Sequence, residues 1–115
     1  MVFIGQVSCN SYILYIQGNF VLPLIVSPNV LQKLKDKHNV TVVEVRECFE
    51  NRCGEFLIDL RYPMEDGNSV LWFIAETVKA RLLKVVFIYI DGNCHIKTSY
   101  EASEIEIKIY EEHGK

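Results

Sequence analysis

From Glu55 onward the sequence is organised as four apolar runs of strand length, Phe56 to Leu60, Val70 to Thr77, Leu82 to Ile90 and Cys94 to Thr98, rich in Val, Ile, Phe and Tyr. Turn-forming residues separate them: Glu65-Asp66-Gly67-Asn68, then Val78 to Ala80, then Asp91-Gly92-Asn93. An Asp-Gly pair adopts the two left-handed conformations of a tight hairpin turn at little steric cost, and so links neighbouring antiparallel strands. Sequential hairpins of this kind predict an antiparallel meander of four strands.

The flanks read as helix. Ser27 offers a capping oxygen and Pro28 a first helical residue whose missing N–H costs nothing, so a helix is expected from Pro28 to His38 with Val30, Leu31 and Leu34 on its apolar face. Asn39 suits the left-handed residue that ends a helix. Thr41 with Glu44 three residues on forms the capping box of a second helix, which makes the pair a helical hairpin. Ser99 to Glu112 is expected to be helical again, with Ile105, Ile109 and Ala102 on one side and Glu104, Lys108, Glu111 and Glu112 on the other. The predicted fold is thus α+β and two-layered, with helices covering one face of a four-stranded antiparallel sheet in the order α-α-β-β-β-β-α. Before it, Tyr12 to Ile16 and Phe20 to Val26 read as strands about Gln17-Gly18-Asn19, so residues 1–21 are expected to be an extension and residues 22–115 the domain.

At 115 residues the chain supports one core. Its net charge of −3 excludes a surface that grips nucleic acid everywhere, because such binding needs clustered Lys and Arg. Charge is uneven, however: no residue before Lys33 is charged, while Lys79, Arg81, Lys84 and Lys97 fall close together and the end of the chain is acidic. Any nucleic-acid contact is therefore local. Cys9, Cys48, Cys53 and Cys94 lack the C-x-x-C spacing of zinc ribbons and redox motifs and read as reduced packing residues. The uncharged start has no basic leader region and is interrupted at Ser8 to Ser11 and Gln17 to Asn19, so the expected location is the cytoplasm, with no membrane contact.

Residues 27–51, SPNVLQKLKDKHNVTVVEVRECFEN, carry Pro28, Lys37-His38, Val40, Glu44 and Phe49 at intervals that resemble the opening of BrnT-type ribonuclease toxins of bacterial toxin-antitoxin systems. Arg81 to Phe87 is similar to the Val-rich strand of that family, and Glu101-Ala102-Ser103 with Glu106 and Tyr110 is similar to its last helix, so the resemblance covers about residues 22–113. It implies a RelE-like fold, metal-independent hydrolysis of RNA without a cofactor, and neutralisation by a small protein antitoxin, with a homodimer also open. The chain departs from the family where Tyr100 replaces Arg, Glu101 replaces Lys, His95 replaces Arg and Asn39 replaces Gly, which removes positive charge from the site.

Attack of a 2′-hydroxyl on the adjacent phosphate needs a base, cations for the developing charge and an acid for the leaving oxygen. The expected catalytic set is His95 as acid or base, Lys97 and Arg81 as phosphate clamps, and Tyr100 as a stacking or proton-donating group. His95 and Lys97 would share a strand face, with Arg81 and Lys84 reaching it from the neighbouring strand. Lys84, Lys37 and His38 are candidate RNA contacts, although Lys37 and His38 are also explained by the negative end of their helix. Trp72, Phe73, Phe87 and Tyr89 suit core better than a stacking platform. Two other readings compete: a non-catalytic interaction module that keeps the toxin fold, and, less favoured, an ADP-ribosyl hydrolase, whose clustered aspartates are not seen in Asp36, Asp59, Asp66 and Asp91.

Overall fold

Apolar residues fill both faces of one interior strand, so the sheet must be covered twice. Every residue from Leu83 to Ile88 is buried, Lys84 included, and a continuous buried run of this kind requires a layer on each side. The computed structural model describes residues 3–7, 10–17, 20–64 and 67–115. In chain order the elements are β1 (Phe3–Val7), β2 (Asn10–Gln17), β3 (Phe20–Val26), α1 (Pro28–His38), α2 (Val42–Glu50), β4 (Leu57–Ile58), β5 (Val70–Glu76), β6 (Leu82–Ile90), β7 (Asn93–Glu101) and α3 (Glu104–His113).

The fold is α+β, and β4, β5, β6 and β7 form the expected antiparallel meander. The sheet is nevertheless larger than four strands, and it is mixed. Its order is β1-β2-β3-β7-β6-β5-β4, with β3 running parallel to β7 through Leu24↔Cys94 and Ile25↔His95. The physical reason lies in β3, whose Leu24 and Val26 are fully buried and whose backbone shields the outer edge of β7. β3 spans residues 20–26 and so crosses from the expected extension into the expected domain without a break.

The helices lie on opposite faces, where the sequence suggested one. Neighbouring residues on a strand point to opposite sides. Phe73 packs with Phe49 of α2 at 4.7 Å between ring centroids, while the adjacent Trp72 packs with Tyr110 of α3 at 5.6 Å. The architecture therefore has three layers, with α2 and α3 enclosing the sheet and α1 packed along β7. Phe49, Phe56, Phe73 and Phe87 make the aromatic centre of one face through a set of edge-on contacts. Trp72, Phe73 and Phe87 are thus core, whereas Tyr89 is half exposed.

Local signals held well at the helix starts. Ser27 accepts from the Val30 N–H, and Thr41 and Glu44 complete their capping box. Asn39 takes φ 52°, and Asp91 and Gly92 take φ 50° and 82°, the left-handed pair of a tight hairpin. Three boundaries differ. β7 continues to Glu101 because Lys84↔Tyr100 and Leu83↔Glu101 extend its pairing, and α3 starts only after Ser103, which forms a second capping box with Glu106. β4 shrinks to two residues because Asp59 turns inward beneath the sheet's cover. Finally, α3 buries Tyr110 and half-buries Glu106 and Ile107, leaving Ile105 and Ile109 outward, so its apolar stripe does not face the sheet. Of the expected turns, Gly18, Asn19, Glu65 and Asp66 lie outside the described residues. Among the described residues no helix is long and apolar enough to cross a membrane.

Candidate functional site

A cation in the middle of an apolar strand must find partners or be expelled. Lys84 is only 3% exposed, and its ammonium donates to Glu106 Oε2 at 2.9 Å, lies 3.9 Å from Asp59 Oδ2, and sits 4.5 Å from the centre of the Trp72 ring. Asp59, 4% exposed, is gripped in turn by Arg61, whose Nε and Nη2 donate to its two oxygens at 3.0 and 2.9 Å. Tyr100, paired across from Lys84, donates its hydroxyl to the same Glu106 oxygen at 2.9 Å. Two cations, two carboxylates and one phenol thus form a connected network that pins α3 and the segment after β4 onto the sheet.

The network sets the protonation states. Burial acts to raise the Glu106 carboxyl, but the Ser103 N–H and the Lys84 and Tyr100 donors outweigh it and hold it down at about 2. Hydrogen bonding from Arg61 lowers the Asp59 carboxyl in the same way. Burial raises the Tyr100 phenol, and its bond to charged Glu106 adds to that, so it stays protonated. Arg61 lies beside Tyr100 as well as Asp59.

His38 closes this constellation from the end of α1. Its ring centroid is 5.5 Å from that of Tyr100, and burial followed by the charges of Lys33 and Lys37 pushes the imidazole below its ordinary range. It is therefore neutral at pH 7 and able to accept a proton. On the far side, Arg61 and Lys97 flank the half-exposed Tyr62 ring, at 5.6 and 5.9 Å from its centre. The Lys33 ammonium donates to the backbone oxygen of Lys97 at 3.1 Å, tying α1 to this part of β7. No family model matches the chain, and no curated protein sequence matches it significantly.

The structure brings together only part of the expected set. Tyr100, Lys84 and His38 meet, with Lys97 at the border through Tyr62. Arg81 stands elsewhere. It immediately precedes β6, whereas His95 pairs with Ile88, and seven residues of strand span roughly 23 Å. Its guanidinium donates to Glu44 Oε2 at 2.6 Å and to the Asn39 carbonyl at 3.0 Å and faces Glu101 at 3.6 Å, so it fastens α2 to the sheet. His95 lies between β3 and β6, paired with Ile25 and Ile88. Pairing passes from Val86↔Thr98 to Phe87↔Ile96, which makes Lys97 the extra residue of a β-bulge and breaks the period of two expected between it and His95. Lys37 approaches the site through its field on His38.

Asp59, Arg61, Tyr62 and Glu106 were not among the expected site residues. A signal existed for two of them: Asp59, like Lys84, is a lone charge inside an apolar run, and Ser103 with Glu106 has capping-box spacing. Tyr62 had none, because its setting depends on how the loop folds back.

Proposed function

We propose that the protein is an RNA-cleaving, toxin-like enzyme similar to BrnT-type toxins, acting without a metal or cofactor, with its reaction centred on His38 rather than His95. The reading rests on one observation: the His38 ring lies against Tyr100, the phenol that Arg61 also reaches, and burial with the charges of Lys33 and Lys37 lowers its pKa. His38 takes the proton of the 2′-hydroxyl as that oxygen attacks phosphorus; the P–O5′ bond breaks to leave a 2′,3′-cyclic phosphate, and the departing 5′-oxygen takes a proton from solvent water. Arg61, Lys97 and Lys37 offset charge on the pentacoordinate phosphate. Tyr100 keeps its proton on Glu106 and therefore serves as a wall that orients the imidazole, while Lys84 holds Glu106 charged and in place. A small protein partner covering this surface would keep the activity in check.

One finding favours the competing reading of a non-catalytic interaction module: Arg81 and Lys84 are both engaged by carboxylates of the protein itself. Controlled expression of the wild type beside His38→Gln, followed by growth and RNA-integrity measurements, separates the two. Purified wild type is expected to cleave RNA in the presence of a metal chelator, with a rate that rises with pH through a midpoint below 6.5 as His38 loses its proton. His38→Gln is expected to cut the rate roughly 10²-fold or more. Intact RNA and normal growth with folded wild type would leave the interaction module standing.

A further inference from the structure

The loop after β4 exposes more apolar surface than a solvated turn needs. Leu60 is 90% exposed, Met64 62% and Tyr62 42%. Two cations, Arg61 and Lys97, lie 5.6 and 5.9 Å from the centre of the Tyr62 ring. Those distances are at the outer limit of a cation–π contact, so both cations stand only loosely over the ring, which stays exposed and can receive a planar group if they shift aside. The Arg61 side chain is itself 62% exposed although two of its nitrogens hold Asp59, which fixes the guanidinium in direction while leaving it open to solvent.

An aromatic ring bordered by two positive groups is suited to an unpaired nucleotide, whose base stacks on the ring while its phosphates meet the cations. A base inside a duplex offers no free face. We infer that Tyr62 is the stacking platform for one base of a single-stranded RNA, with Arg61 and Lys97 contacting the adjoining phosphates, and that the protein selects unpaired over duplex RNA. The inference rests on the RNA reading of the same surface and specifies its substrate class.

The test uses fluorescence anisotropy with an end-labelled 2′-O-methyl RNA of about ten nucleotides, a length suited to single-strand sites. The methyl group blocks the attacking hydroxyl, so binding is measured apart from cleavage. Tyr62→Ala is expected to weaken single-strand binding roughly tenfold or more, Tyr62→Phe to bind like the wild type, and Lys97→Gln to lower the slope of log affinity against log salt by about 0.7. A blunt duplex of the same strand is expected to bind roughly tenfold more weakly than the single strand. Equal binding by wild type and Tyr62→Ala, or equal affinity for duplex and single strand, would overturn the inference and leave the loop as a protein contact. If unmodified RNA is still cleaved in that case, the proposed function survives; if the wild type neither binds nor cleaves RNA, both fail.

Discussion

Arg81 and Lys84 stand three residues apart and were expected to reach the same region, yet they face different surroundings. Arg81 sits just outside β6 with a quarter of its side chain exposed, shared between Glu44 and Glu101. Lys84 lies inside β6 beneath α3, with Glu106, Asp59 and Trp72 around it. In the exposed case water competes for both charges, and the ion pair adds little to stability. In the buried case water cannot replace a lost partner, so the pair is costly to assemble and costlier to break. Proximity in sequence thus says that two cations can share a region, but the cover above each decides whether it binds a ligand or holds the fold.

The largest expected effect breaks the buried member. Lys84→Met preserves length and apolar packing but strands Glu106 and Asp59, and should lower unfolding free energy by about 3 kcal/mol in urea titration. Adding Glu106→Gln should recover part of that loss, because the stranded charge is gone. Arg81→Ala comes next, at about 1 kcal/mol, since Glu44 keeps the Thr41 N–H and can turn to water. Its effect should shrink in high salt, whereas that of Lys84→Met should persist. A larger loss at Arg81 than at Lys84 would invert the comparison.

Much of the meander was legible because its information is local. Asp91 and Gly92 have the chemistry of their turn, and Ser27, Thr41 and Asn39 each satisfy backbone groups within a few residues. What escaped depends on contacts distant in sequence. The parallel join of β3 to β7 links residues 24 and 94. The rotation of α3 follows from Glu106 reaching Lys84 and Tyr110 reaching the Glu55 carbonyl, two polar anchors that outweigh the pull of Ile105 and Ile109 toward the core. The site followed the same rule. Tyr100 and Lys84 were legible as residues, but Asp59 and Arg61 join them only when the loop folds back over the sheet.

The finest comparison concerns acid. Glu44 and Glu106 occupy equivalent places, each the third residue of a capped helix, accepting its own cap's N–H and a cation from the sheet. Both carboxyls are depressed, so each adds stability that is fully present above its unfolded value of 4.5 and is lost as pH falls through its folded value. Glu106 is held at about 2, by its cap, a buried ammonium and a phenol, whereas Glu44 has the cap and a partly solvated guanidinium. The Arg81 clamp should therefore loosen first on acidification and the Lys84 pair last. Carboxyl resonances followed by NMR should show Glu44 titrating below 4.5 but above Glu106. In Lys84→Met the Glu106 midpoint should climb toward that of Glu44, because only its cap and the Tyr100 phenol then hold the charge. Should Glu106 instead titrate near 4.5 in the wild type, Lys84 would not be its partner in solution, and the distinction between a buried and a solvated cation on this strand would lose its basis.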